Sequence, residues 1–283
     1  MNQEVTIIIL TYKSKNLTID YIKKLYKKFK IIIVDNSKDN ELESIIKSSY
    51  PDVDIHLIEN NGYSTQINYG VYFVKTEYFL ISNPDVHGID VIDVQNFLKV
   101  AKKLDNKFSA LGPRYLDANP KSIKQSQNDK DIAELRFLSG ACMFFCKKNY
   151  DLIGGFDNNF FLYFEENDYC LRSKKFYKNY QINTIKVYHD VGKSVSSKNE
   201  NEIKDQQNLR SWHFVWSKFY YYRKNYGFFY AITFFIPIIL RTIFKILLYS
   251  LLKDEINYFK YKNRLSGMMS SIKGKKSYKR PKF

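Results

Sequence analysis

Two unbroken apolar runs, VTIIILTY at residues 5–12 and KIIIVDNS at residues 30–37, most constrain what this chain can fold into. Both are rich in β-branched residues and neither alternates with polar ones, the pattern of strands buried on both faces of a sheet. Such strands need helices above and below them. The intervening LTIDYIKKLYKKF has helical periodicity, and the pattern then repeats. DNELESIIKSS reads as helix, VDIHLIEN as a third strand, STQINYGVYFVK as helix and EYFLISNPD as a fourth strand. Strand and helix alternate through the first hundred residues, which predicts an α/β fold built on a doubly wound sheet.

From about residue 107 the rhythm changes to short strands and polar loops, including DANPKSIKQSQNDKD. FLSGACMFFCKK predicts another strand, residues 165 to about 179 a helix, and YQINTIKVYHD the strand after it. The last third is different in kind. NLRSWHFVWSKFYYYRKNYG is aromatic and basic, and FFYAITFFIPIILRTIFKILLYSLL (228–252) is apolar apart from Arg241 and Lys245. A membrane span needs roughly 20 apolar residues. Pro237 and two cations spaced i, i+4 instead predict a helix lying in the membrane interface, peripheral or monotopic. Between Lys253 and Phe283 ten Lys or Arg face only Asp254 and Glu255, which places half of the net charge of +16 in this stretch. Beside an apolar helix that charge points to an anionic membrane surface; nucleic acid is the less favoured partner. The expected organisation is an α/β domain over 1–200, with halves 1–112 and 113–200, a connector over 201–226, and a membrane-associating helix and basic tail over 227–283.

Cys142, Cys146 and Cys170 form no CxxC pair and leave an odd one over, which argues against a disulfide framework and a structural zinc site. The N-terminal apolar run is too short for a signal-peptide core, so a cytoplasmic location is expected.

In open α/β sheets ligands bind beyond the carboxyl ends of the strands. LTYKS ends the first predicted strand, VDNSKD the second and SNPDV the fourth. Taken singly, such residues also end strands merely by making turns. Together with NNGYSTQINYG at 60–70, their order resembles the inverting glycosyltransferases of family 2, which have the GT-A fold. The resemblance implies that Thr11, Tyr12 and Asp35 hold the base and ribose of a nucleotide-diphospho-sugar, and that Asn61, Gly62 and Asn68 shape the donor pocket. The family's Asp-x-Asp signature stands here as Asn83-Pro84-Asp85, a form common in rhamnosyltransferase-like members, and this tilts the expected donor sugar towards rhamnose. Asp85 is then the direct carboxylate ligand of Mg2+ or Mn2+ on the donor phosphates, an oxygen site suited to either ion. His189, in VYHDVGKS, is the second metal-ligand candidate, with Lys193 and Ser194 near phosphate.

GGFDNNFFLYFEENDYCLR (154–172) is the longest and most specific match to the family pattern. It implies that Glu166 is the catalytic base, taking a proton from the acceptor hydroxyl as the oxygen attacks the sugar opposite the departing nucleotide. Glu165, Asp168 and Arg172, at i, i+3 and i+7, form a supporting ion-pair set on another helix face. Acids in a first helical turn are also favoured by the helix dipole alone. A glycoside hydrolase needs a second flanking carboxylate that no segment supplies. A catalytically inactive scaffold on the same fold is the other reading, suggested by the missing first Asp and by Glu in place of Asp. The expected acceptor is a glycan or a polyprenyl-diphosphate-linked saccharide at the cytoplasmic face of a bacterial inner membrane, in cell-surface polysaccharide synthesis.

Overall fold

The computed structural model describes residues 2–118, 122, 124–126, 128, 130–190 and 199–282. The chain divides into two compact units, one of Met1–Asn60, Thr65–Phe156 and Tyr169–Ser196, the other of Asn61–Ser64, Asp157–Asp168 and Ser197–Phe283.

The alternation read from the sequence appears as β1 (Asn2–Thr11), α1 (Lys15–Lys23), β2 (Phe29–Asp35), α2 (Asn40–Ser49), β3 (Val53–Leu57), α3 (Tyr63–Tyr72) and β4 (Tyr78–Ser82). There follow β5 (Val86–His87), α4 (Val91–Lys103), β6 (Ala110–Tyr115), β7 (Ile132–Leu135), β8 (Cys142–Cys146), α5 (Lys147–Ile153), α6 (Glu165–Ser173) and β9 (Asn179–His189). Among the described residues the sheet has nine strands, in the order β3-β2-β1-β4-β8-β6-β9-β5, with β7 also paired to β9. β1 is parallel to both β2 and β4, while β8 runs antiparallel to β4 and β6. The sheet is therefore mixed: its parallel half matches the doubly wound expectation, and its second half departs from it. Val5 through Thr11 are all buried, as a strand covered on both faces requires.

Three local differences from the pattern analysis have physical causes. α4 was not anticipated; it is fixed by a capping box in which Asp90 accepts from Ile92 N and Asp93 N while Asp93 accepts from Asp90 N. The long strand expected over 137–148 narrows to β8, because α5 begins at Lys147 and ends on Gly154 in the left-handed region. α6 stops at Ser173 rather than near Asn179. The Ser173 hydroxyl donates to the Cys170 carbonyl, and Asn179 already pairs with Ala110 in the sheet.

The second unit is helical: α7 (Glu200–Tyr226), α8 (Phe228–Leu251) and α9 (Glu255–Ile272). Asn199 and Asp254 cap α7 and α9. Val215, Phe219, Ala231, Phe235 and Met268 form the core where the three helices meet. A Cβ added at Gly267 of α9 would lie 2.4 Å from the Trp212 carbonyl oxygen, so the backbones of α7 and α9 touch there. The stretch expected to be a basic tail is instead helix α9 and a packed strap. Trp216 donates to the Lys275 carbonyl, the His213 ring lies 3.0 Å from both the Lys279 carbonyl and the Ser277 hydroxyl, and Lys282 N donates to Asp205. Burial pushes the His213 imidazole down to about 3, against the raising effect of the Lys279 carbonyl. α8 continues through Pro237 and is long and apolar enough to cross a membrane by length and composition. Phe229, Ile236, Leu240, Phe244, Leu247 and Leu251 run along its exposed side.

Candidate active site

In the first unit the chain reverses its direction of strand addition at β1, which lies between β2 and β4. The carboxyl ends of these strands deliver Thr11, Asp35 and Ser82-Asn83 to one edge, the position at which α/β sheets bind ligands. Asp35 is buried, and its two oxygens accept from Ser37 N, Ser37 Oγ and Asp39 N. Burial raises its carboxyl and these donors pull it back, leaving it raised. Thr11 is also buried, and its hydroxyl accepts from Thr18. Tyr12 is half-buried; its carbonyl accepts from Ser14, and the Lys13 ammonium lies 6.0 Å from its ring centroid. Asn68 holds the turn that follows α5, donating to the Phe156 carbonyl and accepting from the Tyr150 hydroxyl and Phe156 N. Arg172 donates to the Ile153 and Gly155 carbonyls of the same turn.

Gln66 escaped the sequence reading. Its amide donates to the Thr11 and Val34 carbonyls and accepts from Asn36, which also reaches Asn60. This buried side chain joins the ends of β1 and β2. The available signal was its place three residues after a Gly-Tyr pair in a predicted helix, which no motif singles out.

Asp85 and His189 are far apart in sequence, but β5 and β9 pair antiparallel with Val86 opposite His189. This register sets His189 Nε2 3.5 Å from Asp85 Oδ1. Asp85 is 1% exposed, and no hydrogen-bond donor reaches its Oδ1. The His189 backbone N–H donates to Asp117. Asn83 N donates to the Ala141 carbonyl. Among the described residues no three His, Cys, Asp or Glu side chains converge to hold a metal. One buried carboxylate oxygen beside one imidazole fits a divalent cation that takes its remaining ligands from a bound phosphate. Lys193 and Ser194 lie outside the described residues.

The second unit carries the other candidates. Gly62 has φ +106° and its missing Cβ would lie 2.5 Å from the Phe161 Cα; Tyr63 N donates to the Phe161 carbonyl. Only glycine fits this contact. Asn61 beside it is exposed. Tyr163 and Phe164, directly before the acids, both sit in the left-handed region at φ 70° and 68°. Two bulky aromatics in that conformation are strained by about 1–3 kcal/mol each. Their rings pack against Phe214 and Tyr221, and Leu162 is tied by the Ser217 hydroxyl to its carbonyl. α6 begins directly after this pair, and its Glu165 and Glu166 are both buried. The Tyr163 phenol is raised, first by burial, with Arg210 opposing and Glu165 and Glu166 adding.

Asp168, 0% exposed, accepts from Lys224 at 2.8 Å and Asn225 at 3.1 Å. Lys224 also reaches Asp157 at 2.7 Å. α7 thus anchors both ends of the 157–168 segment, an arrangement that sequence spacing did not reveal.

The sequence matches the model of the family described as Glycosyl transferase family 2 over residues 6–158. This chain belongs to glycosyltransferase family 2. A hexosyltransferase of low-salt glycan biosynthesis from Haloferax volcanii is 25% identical over 204 residues, covering 62% of this chain and 63% of that protein. An uncharacterized glycosyltransferase from Rickettsia conorii is 31% identical over 134 residues, covering 44% of this chain and 22% of its own length. The chain thus spans less than two thirds of either relative. Among solved structures, the mannosyltransferase of Pyrobaculum calidifontis in complex with GDP-Man and Mn2+ superimposes with a TM-score of 0.59 at 14% identity, covering 98% of this chain and 89% of that one. TarS residues 1–349 of Staphylococcus aureus gives 0.53 at 14% identity, covering 96% and 92%. The fold of this glycosyltransferase is GT-A. Glu165, Glu166 and Asp168 lie beyond the last residue of the family match.

Proposed function

We propose that this family 2 protein is an inverting hexosyltransferase that moves a sugar from a nucleotide-diphospho-sugar to a hydroxyl of a glycan or lipid-linked saccharide. The observation that carries this reading is the buried Asp85 carboxylate beside His189, in a chain matching family 2, on the ligand-binding edge of its sheet. Asp85 and His189 hold a divalent cation; when bound, it offsets the charge that builds on the departing diphosphate. Support for the cation comes from the manganese in the Pyrobaculum calidifontis structure and from the donor set.

Asp35, Thr11 and Tyr12 hold the nucleoside, with Gln66 fixing the strand ends that carry them. Asn61, Gly62, Asn68 and Asn83 shape the donor pocket. Glu166 takes the proton of the acceptor hydroxyl, a role that contributes about 10²- to 10⁴-fold in rate. Its support is the match of residues 154–172 to the family pattern and its burial directly after the strained aromatic pair. Glu165, Asp168 and Arg172 support the segment. A single displacement inverts the anomeric carbon. The Asn83-Pro84-Asp85 form favours dTDP-rhamnose as donor. α8 associates with an anionic membrane surface through its exposed apolar side, consistent with a protein at the cytoplasmic face of a bacterial inner membrane in cell-surface polysaccharide synthesis.

Calorimetric titration of the full chain with dTDP, UDP, GDP, CDP and ADP, each with and without manganese, tests the reading. Manganese-dependent binding of one nucleotide supports it and names the donor class. Absence of binding by every nucleotide to folded protein refutes it.

A further inference from the structure

The three helices of the second unit enclose a cavity of about 360 Å3 lined by Phe214, Val215, Lys218, Phe235, Pro237, Ile238, Arg241, Thr242, Tyr261 and Arg264. That volume lies in the range of small-molecule sites. Each helix supplies one cation to it: Lys218 from α7, Arg241 from α8 and Arg264 from α9. Among the described residues, none of the three has a carboxylate partner, and Lys218 and Arg264 instead face aromatic rings. Lys218 Nζ lies 5.2 Å from the Phe234 ring centroid, and the Arg264 guanidinium lies 5.8 Å and 5.6 Å from those of Phe214 and Tyr261. Elsewhere in the same unit a partly exposed cation is paired with carboxylates, as Lys224 is with Asp157 and Asp168.

Three like charges around one cavity repel one another. Burial holds the Lys218 ammonium below its ordinary value, and the Arg264 charge lowers it further. An anion in the cavity would relieve both costs, and three convergent donors suit the several oxygens of a phosphoryl group. Apart from the Thr242 and Tyr261 hydroxyls the rest of the lining is apolar, and it includes Pro237 and Ile238 of α8, the helix whose exposed side is a continuous apolar stripe. A free phosphate would leave those walls unused.

We propose that this cavity binds the phosphoryl group of a single lipid phosphate, with Lys218, Arg241 and Arg264 around the phosphate and the chain lying along α8. The site belongs to the helical unit alone and does not depend on the transfer chemistry.

Native mass spectrometry of the full chain in neutral detergent, titrated with decyl phosphate, decyl maltoside and inorganic phosphate, tests the assignment. The expected result is saturable binding of one decyl phosphate, no retention of the maltoside, and binding of inorganic phosphate weaker by about tenfold or more. Arg241→Gln with Arg264→Gln should weaken decyl phosphate about tenfold or more. Lys273→Gln with Lys276→Gln, an equal loss of charge from exposed positions of the same unit, should leave it unchanged. If the Arg264 variant does not fold, Arg241→Gln, at an exposed position, gives the same reading alone. Equal weakening by both pairs would reduce the effect to diffuse surface charge and overturn the site. Inorganic phosphate binding as tightly as decyl phosphate would overturn the lipid assignment. Glu166→Gln should bind decyl phosphate like the parent chain even where it has lost transfer, which separates this inference from the catalytic one.

Discussion

Replacing Lys224 by Met removes a cation that joins Asp157 and Asp168. Lys224 lies 2.7 Å from Asp157 and 2.8 Å from Asp168, whose side chains are 13% and 0% exposed, while its own is 27% exposed. Breaking a buried ion pair from one side costs about 3–5 kcal/mol, because the remaining charge stays buried without compensation. The partial exposure of Lys224 and the bond from Asn225 to Asp168 place the expected cost at the lower end, about 3 kcal/mol. For a protein near this size that lowers the melting temperature by roughly 6–12 °C. Trp212 and Trp216 are the only tryptophans in the sequence and both sit on α7, so their fluorescence reports the unfolding of this unit. The pH dependence has a definite sign. Burial pushes the Asp157 carboxyl up, but Lys224 and Asn159 outweigh it and hold it below its ordinary value. A depressed carboxyl contributes stability that is present above its unfolded pKa of about 3.9 and is lost as pH falls through the folded one. The gap between parent and variant should therefore be full at pH 7 and shrink below about pH 4. Lys224→Arg should recover part of the loss. Equal melting temperatures at pH 7, or a gap that stays constant down to pH 3, would refute this account of the anchor.

Glu166→Gln should lower kcat about 10²- to 10⁴-fold with nucleotide affinity nearly unchanged, measured by product formation and calorimetry; retained turnover removes Glu166 from the base role. Asp85→Asn should abolish the manganese-dependent part of nucleotide binding while leaving the fold intact, since among the described residues its side chain meets only His189; an unchanged manganese effect places the cation elsewhere. Leu240→Asp with Phe244→Asp, both on the exposed side of α8, should reduce co-sedimentation with anionic vesicles without changing the circular dichroism spectrum. Undiminished co-sedimentation would sink the membrane reading of that helix.

The chain's own pattern determined the parallel half of the sheet. VTIIILTY and KIIIVDNS have one stable use, as strands covered on both sides, and the order of strand-end residues and the 154–172 segment made the family legible. Sequence could not give contacts that depend on long-range register. Asp85 meets His189 only because Val86 pairs with His189, and one residue of slip would turn the side chain away. Gln66 joins two strand ends through backbone carbonyls, which carry no signature of their own. Lys224 reads as a solvated charge near the end of an aromatic helix until tertiary packing brings it to two carboxylates. The basic C-terminal stretch reads as a tail by composition, yet the glycine at 267 lets α9 meet α7 backbone to backbone. Local periodicity and turn chemistry are written in neighbouring residues, whereas ion pairs, registers and cavities between helices arise from residues that sequence holds far apart.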